Sequence, residues 1–212
     1  MRTRRRRRGA TLAELTVVCM LLLLALGMIA QMMVPATVLF QQQNAGAEAQ
    51  QAAAAALHRI RNALLCTSPA TVTASDGVND SPIAIALQPI VSTGQPFSDN
   101  GTPLYDDHFD IFWFDKAHQS LWLMHRAPPA YHFADNTKPQ QISAQDLADQ
   151  TPDVTAGDQL LSRRISALDM STPEGAITYP LALHMTVEVP DPKGGIERFD
   201  LTTAVTPRNA PW

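Results

Sequence analysis

The N-terminal part of the chain divides sharply into a basic block and an apolar block. Arginine occupies every position from 4 to 8, whereas residues 15–30 carry no charged side chain. An apolar run of this kind predicts a helix that crosses a membrane. Glu14 stands at the head of the run, and a charge inside a membrane segment costs about 2.5–3.5 kcal/mol even on the lenient insertion scale. We therefore expect this carboxylate to have a partner.

The helical pattern continues beyond the apolar run. Residues 47–56 are rich in alanine, the strongest helix former. The apolar positions that follow recur every three or four residues on one helical face. They are Ala53, Leu57, Ile60 and Leu64. The pattern predicts one helix from about residue 11 to residue 66, which spans the membrane at about residues 12–34 and then packs on its own C-terminal domain. Gly27 and Pro35 are expected to loosen or kink it.

After Ser68 and Pro69, which end the helix, apolar residues occur in short strand-like runs separated by turns. Seven runs are predicted as strands: residues 70–74, 83–91, 109–115, 120–126, 159–168, 181–189 and 197–206. The third and fourth runs predict an antiparallel hairpin with an aromatic core of Phe112, Trp113, Phe114 and Trp122. The predicted fold class is α+β, a long N-terminal α-helix packed on a C-terminal antiparallel β-sheet domain.

The last two predicted strands form a second hairpin. Leu183, Met185 and Val187 alternate with polar residues, and residues 191–195 contain the Pro and Gly residues of a turn. Residues 131–152 show no clear period and are predicted as an irregular excursion.

The N-terminal arginines change the meaning of the net charge. The whole chain has 16 basic and 20 acidic residues, a net charge of −4. Six arginines precede Gly9, so the remainder has 10 basic and 20 acidic residues and a net charge of −10. A chain this acidic is a poor binder of nucleic acid, which requires clustered Lys and Arg. The arginine block is instead typical of the cytoplasmic flank of a membrane segment.

The side chains that could perform chemistry are scattered. Acidic and histidine residues cluster at 106–110, and His118, His125 and His132 follow, but the sequence lacks the His-x-x-x-His or Cys-x-x-Cys spacing that holds zinc. Residues 76–80 lack the ligand spacing of an EF-hand. Nucleophile-elbow and phosphate-binding patterns are missing as well. The sequence therefore predicts no catalytic residue, no metal, no cofactor and no enzymatic activity.

The two cysteines do not predict a disulfide. Cys19 and Cys66 are 47 residues apart, which along one helix corresponds to about 70 Å. That distance is far beyond the reach of a disulfide bond.

Seven residues around the head of the apolar run form a recognisable motif: Gly9, Thr11, Leu12, Glu14, Leu15, Val17 and Val18. Together with the basic block they resemble the class III signal peptide of type IV prepilins and type II secretion pseudopilins. In that family a short basic leader ends in Gly, and an aromatic residue or Met, then Thr, Leu, any residue, Glu and Leu follow. Ala10 departs from the usual Phe or Met of the first mature position.

The resemblance implies roles for three residues. A prepilin peptidase would cleave after Gly9 and expose the amine of Ala10, the site of N-methylation. Glu14 would pair with that amine on a neighbouring subunit during filament assembly. The implied regions are a leader at 1–9, a long helix at 10–66 and a β-rich domain at 67–212.

The resemblance also implies partners and a location. The expected partners are the prepilin peptidase, other pilin or pseudopilin subunits and an inner-membrane assembly platform, with no nucleic acid bound directly. The expected protein is a single-pass component of the inner (cytoplasmic) membrane, with its C-terminal domain outside the cytoplasm, that enters a periplasmic or surface filament.

A narrower resemblance comes from residues 57–63, 160–165 and 202–209. These segments are similar to those of J-type minor pseudopilins of type II secretion and the related W-type minor pilins, which implies a subunit that helps to initiate or cap a filament. Major pilins usually have a disulfide-bounded loop, whereas no cysteine follows Cys66 here. The K-type tip pseudopilin usually lacks the glutamate found at position 14.

The N-terminal segment has two alternative interpretations. An ordinary secretory signal would have a small-residue cleavage site near residues 27–30. An uncleaved N-terminal anchor would tether an envelope enzyme or a ligand-binding domain. The mature N-terminus distinguishes these possibilities from the pilin-like leader.

Overall fold

The computed structural model of the 212-residue chain describes residues 11–76, 83–91, 94–131, 133, 135–170, 177, 179–190 and 195–207. The chain divides into two compact units, Met1–Asn44 and Ala45–Trp212. Gly9 and Ala10 lie outside the described residues, as do residues 191–194 of the predicted last turn.

The long N-terminal helix is confirmed. Helix α1 comprises Leu12–Leu65, 54 residues, and it continues through Gly27 and Pro35, where the sequence predicts loosening. The helix ends before Ser68, whose hydroxyl caps the short 3₁₀ helix Pro69–Thr71. Proline at the first position of that short helix suits it, because the missing N–H would be unpaired there in any case.

The predicted buried face of α1 is also confirmed. The four predicted residues are buried: Ala53, Leu57, Ile60 and Leu64. Ala49 is also buried and extends this face by one turn towards the N-terminus. Ala56 is buried as well and lies between the predicted residues. The charged and polar side chains at positions 58, 59, 61 and 62 are exposed. Small alanine side chains allow the helix to lie close to the sheets beneath it.

Within the described residues, five strands form one antiparallel sheet in the order β1–β2–β3–β4–β5. The strands are β1 (Thr73–Asp76), β2 (Ile83–Leu87), β3 (Phe109–Asp115), β4 (Ser120–Arg126) and β5 (Gln159–Arg163). Strands consecutive in sequence are neighbours in the sheet. The β3–β4 hairpin has the predicted bounds, with Phe109 opposite Arg126 and Asp115 opposite Ser120.

Three further strands of the described chain form a second antiparallel sheet in the order β6–β7–β8. They are β6 (Ile165–Met170), β7 (Leu181–Pro190) and β8 (Ile196–Val205). Burial alternates strictly along most of β7, and the buried side chains are Leu181, Leu183, Met185, Val187 and Val189. The predicted α+β class is therefore confirmed.

Three predicted strands have clearly different bounds in the structure. The run at residues 83–91 is a strand only over Ile83–Leu87. Residues 70–74 begin in the 3₁₀ helix, so β1 starts only at Thr73. Residues 159–168 do not form one strand, because Arg164 adopts a left-handed backbone with φ of 64°. The chain turns at this residue, so β5 belongs to the five-stranded sheet and β6 to the three-stranded sheet.

The predicted irregular excursion contains a short helix. Helix α2 comprises Ala144–Ala148, and the Ser143 hydroxyl accepts a hydrogen bond from the backbone N–H of Asp146 at 3.0 Å. A serine cap of this kind favours a helix start. Five residues are too few to show a helical period, which is why the sequence pattern did not predict α2.

Two apolar clusters occupy opposite faces of the five-stranded sheet in the described part of the chain. Successive strand residues point to opposite faces, so Phe112 and Phe114 pack in the cluster with α1, whereas Phe109 and Ile111 pack in the cluster with α2. The cluster with α1 also includes the inner side chains of β6, β7 and β8. Of the predicted aromatic core, the two phenylalanines are buried and the two tryptophans are half-buried.

Candidate functional site

The first turn of α1 contains a reciprocal pair of hydrogen bonds. The backbone N–H of Thr11 donates to Glu14 Oε2 at 2.8 Å, and the backbone N–H of Glu14 donates to Thr11 Oγ1 at 3.4 Å. Thr11 directly precedes Leu12, the first helical residue. The pair is a capping box, which satisfies two backbone donors that a helix start otherwise leaves unpaired.

Glu14 therefore has a contact within its own helix that was not predicted from the apolar pattern. The signal was present, because Thr-x-x-Glu before an apolar run is the pattern of a capping box. A carboxylate has about four acceptor positions, so the bond to Thr11 leaves Glu14 able to bind a cation as well. The other two predicted site residues, Gly9 and Ala10, lie outside the described residues.

The N-terminal part of α1 has an exposed, mostly apolar surface. Every residue from 11 to 41 is exposed. Residues 12–34 extend about 35 Å at 1.5 Å per residue, slightly more than the roughly 30 Å of a bilayer's hydrocarbon core. Among the described residues one helix, Leu12–Leu65, is long and apolar enough to cross a membrane.

A second group of candidate ligand side chains lies in the C-terminal unit, at one end of the β3–β4 hairpin. His108, Asp110 and His125 place potential ligand atoms within 4.8 Å of one another. His125 Nδ1 lies 2.6 Å from Asp110 Oδ1, and His108 Nε2 lies 3.4 Å from the same oxygen. The two imidazole rings meet edge to face, with centroids 5.3 Å apart.

The strand register brings these three residues together. Asp110 lies directly opposite His125 on the neighbouring strand. His108 lies one residue before β3, and its Nε2 is on the same side as the Asp110 carboxylate, 3.4 Å from Oδ1. The spacing of these residues along the chain matches no common zinc pattern. The predicted hairpin bounds imply this contact, because a register that pairs Phe109 with Arg126 also pairs Asp110 with His125.

Neighbouring carboxylates control the charge of this group. The hydrogen bond to Asp110 raises the pKa of His108 to about 9; burial opposes this, and a hydrogen bond to Asp107 adds to it. The pKa of Asp106 is raised, mainly because the carboxyl group is partly buried. The charge of His108 lowers this pKa, whereas the negative charges of Asp107 and Asp110 raise it. Carboxylates thus surround the imidazole of His108 at this end of the hairpin.

The remaining candidate ligands lie elsewhere. His118 is at the β3–β4 turn, where its Nδ1 lies 2.5 Å from Asp115 Oδ2. His132 is outside the described residues, and of residues 76–80 only Asp76, at the end of β1, is described. None of these joins the cluster of His108 and His125 in the part of the chain that the structure describes.

No protein-family model, no curated protein and no solved structure matches the chain. The function is therefore inferred from the residues and the fold themselves.

Proposed function

We propose that the chain is a minor pilin or pseudopilin, a structural subunit without enzymatic activity. In this role it helps to initiate or cap a filament of the type IV pilus or type II secretion kind. The J-type minor pseudopilin is the narrower form of the proposal, and it comes from the sequence resemblance of residues 57–63, 160–165 and 202–209.

The observation that carries the proposal is the change of surface along α1. In the N-terminal unit, residues 12–40 of the helix are exposed and mostly apolar. In the C-terminal unit the same helix buries one face against two antiparallel sheets. The first surface requires lipid or other apolar helices, whereas the second already has its partner. This division supports a subunit that is held in a membrane before it joins a bundle of similar helices.

Glu14 has a specific part in the proposal. Cleavage after Gly9 would create an amine at Ala10, and Glu14 would bind that amine on a neighbouring subunit. A carboxylate and an ammonium are each costly alone in an apolar environment, and each offsets the cost of the other. The capping bond to Thr11 supports this role because it holds the carboxylate at the helix start, where a neighbour's amine would arrive.

The proposed setting follows from the leader. The arginine block stays on the cytoplasmic side of the inner membrane, where a prepilin peptidase acts, and the C-terminal unit lies outside the cytoplasm. Its acidic surface would meet other pilin-like subunits, and an inner-membrane platform would assemble them. Opposite charges on partner subunits would favour mixed pairs over self-association of this chain.

The decisive experiment determines the N-terminal residue of the mature protein. The full chain is expressed with its peptidase, purified from membranes and analysed by mass spectrometry. The proposal expects a terminus at Ala10 in the wild type and an uncleaved chain in Gly9→Leu, because the bulky side chain does not fit a peptidase site made for glycine.

The matched control is Gly27→Leu. A Cβ atom added at Gly27 meets no other described atom within 4 Å, so this change adds the same bulk without touching the leader. Cleavage before Ala10 should be normal in this variant. An intact N-terminus in the wild type would support the tethered-domain alternative, and a cut after Ala30 would support an ordinary secretory signal; either result refutes the proposal.

A further inference from the structure

The cluster at the end of the β3–β4 hairpin has no part in the proposed filament role. It combines two imidazoles and one carboxylate on one face of two paired strands. We propose that His108, Asp110 and His125 form a binding site for a divalent transition-metal ion, with Zn²⁺ as the expected occupant. This proposal does not depend on the filament function.

The donor set fits zinc. Zn²⁺ binds imidazole nitrogen at about 2.0–2.1 Å and carboxylate oxygen at about 2.0–2.2 Å, usually with tetrahedral geometry. Two nitrogens and one oxygen also favour zinc over calcium and magnesium, which prefer oxygen ligands alone. Three protein ligands leave the fourth position for water.

Two of the three distances between ligand atoms can be compared with a zinc site, and all three ligand atoms lie within 4.8 Å of one another. Two ligands of a tetrahedral zinc ion stand about 3.3–3.5 Å apart, given bond lengths near 2.0–2.1 Å. His108 Nε2 and Asp110 Oδ1 are 3.4 Å apart already. His125 Nδ1 and Asp110 Oδ1 are hydrogen-bonded at 2.6 Å and need to separate by about 0.7 Å to admit the ion. The His125 side chain is 46% exposed, so solvent and not packed protein lies beside much of its ring.

The scaffold holds the ligands in place. Asp110 and His125 belong to paired strands, and their neighbours Phe109 and Met124 are fully buried on the opposite face. His108 Nδ1 lies 3.3 Å from Asp107 Oδ1, which directs its Nε2 towards the cluster. A carboxylate on the outer nitrogen of a histidine ligand is the usual arrangement around zinc and raises the basicity of the ligand.

The surrounding charge favours a cation. Asp106 and Asp107 precede His108 directly in sequence, and Asp107 Oδ1 lies 3.3 Å from His108 Nδ1. Arg126, the next residue after His125, points to the other face of the sheet, where it pairs with Asp158. The ligands therefore face an acidic rim, whose field attracts a divalent ion.

Two other histidines with carboxylate neighbours provide a comparison. His118 contacts one carboxylate, that of Asp115. His184 lies 3.7 Å from Asp169 and 3.6 Å from Asp200, but no second imidazole joins them among the described residues. The pairing of two imidazoles with a carboxylate distinguishes the proposed site.

The test is calorimetric titration of the full chain, in detergent micelles and freed of metal with a chelator, with ZnCl₂ in a buffer that does not bind metals. The wild type should bind one Zn²⁺ ion at its tightest site. Loss of a histidine's outer partner weakens metal binding by about 10–100-fold, so loss of a ligand in His125→Asn should weaken binding by at least about 100-fold. Asparagine can keep the hydrogen bond to Asp110, because its side-chain nitrogen occupies the place of Nδ1.

The matched control is His184→Asn. This variant removes a histidine with two carboxylate neighbours on the other sheet, and its affinity for Zn²⁺ should stay within about twofold of the wild type. Thermal unfolding without metal should be the same for all three proteins, which separates a lost ligand from a damaged fold.

A second measurement identifies the ligands directly. Co²⁺ in place of Zn²⁺ absorbs visible light when it is bound tetrahedrally by nitrogen and oxygen. The wild type and His184→Asn should show this absorption, whereas His108→Asn and His125→Asn should lose it. Absence of binding by the wild type, or equal Zn²⁺ affinity in His125→Asn and His184→Asn, would overturn the proposal.

Discussion

Arg126 and Asp158 form a two-point ion pair between the end of β4 and the start of β5. Arg126 Nη1 donates to Asp158 Oδ1 at 2.7 Å, and Nη2 donates to Oδ2. Oδ2 also accepts the backbone N–H of Asp153 at 2.6 Å. The Asp158 side chain is 1% exposed, so its charge depends on these donors rather than on water.

This pair predicts a loss of stability in acid. Burial raises the pKa of Asp158, but hydrogen bonds from Arg126 and Asp153 outweigh it, so the net pKa is lowered. A carboxylate with a lowered folded-state pKa stabilises the fold above its unfolded value of about 3.9 and loses that contribution as the pH falls through the folded value. Asp158→Asn should therefore destabilise the protein by about 3–5 kcal/mol at pH 7, and the difference from wild type should shrink below about pH 4.

The measurement is urea unfolding of the full chain in micelles at pH 7 and pH 3, followed by tryptophan fluorescence. Asp135→Asn is the control, because Asp135 pairs with Lys138 at the surface and should contribute far less. A difference between Asp158→Asn and wild type that is equally large at both pH values would contradict the ion-pair account.

The second prediction concerns Glu14, which has both a capping contact and a proposed partner in assembly. Glu14→Gln removes the charge but keeps an acceptor for the Thr11 N–H, and glutamine is accepted at this position of a capping box. Glu14→Val removes both and should favour membrane insertion by about 2–3 kcal/mol. Both variants should be cleaved normally and should both lose partner subunits in a pull-down from solubilised membranes.

Thr11→Ala is the control that weakens the helix cap but keeps the Glu14 carboxylate. It removes the capping hydroxyl at a cost of about 0.5–2 kcal/mol to the helix start but leaves the carboxylate, so partner subunits should still co-purify. If Glu14→Gln retains its partners while Glu14→Val loses them, the residue serves the cap and not a neighbour's amine.

The third prediction concerns the contact of α1 with the sheets. Ala53 is fully buried in the apolar cluster, so Ala53→Leu should overpack it and cost about 1–3 kcal/mol. For a domain of this size the melting temperature should fall by about 2–12 °C. Ala55→Leu, two positions along on the exposed face, should change stability by less than about 0.5 kcal/mol. Equal effects of the two changes in thermal unfolding would show that this face of α1 is not packed.

The fourth prediction concerns the turn between the two sheets. A left-handed backbone is costly for a residue with a Cβ atom, so Arg164→Gly should be more stable than Arg164→Ala by about 1 kcal/mol. The order should reverse at the preceding residue, because Arg163 is in β5 and glycine in a strand costs about 0.5–1 kcal/mol relative to alanine. Urea unfolding of the four variants tests both signs, and the same order at both positions would argue against the turn at Arg164.

The sequence by itself predicted the parts of the fold that depend on local pattern. The apolar run and the spacing of Ala53, Leu57, Ile60 and Leu64 predicted α1 and its buried face, because a helical period is visible within two turns. The bounds of β3 and β4 were predicted for the same reason, since alternation and turn residues act over short distances. Glu14 was recognised because a carboxylate is costly in an apolar run.

Only the tertiary structure decided which distant residues meet. Arg126 and Asp158 are 32 residues apart, and their pairing depends on how β5 joins the sheet. The left-handed turn at Arg164 divides residues 159–168, which were predicted as one strand, into β5 and β6 of two different sheets. His108, Asp110 and His125 meet because the register of β3 with β4 places them on one face. The period of apolar residues specifies which side of a helix or strand is buried. The contacts between elements depend on packing and loop closure, which involve residues far apart in the sequence.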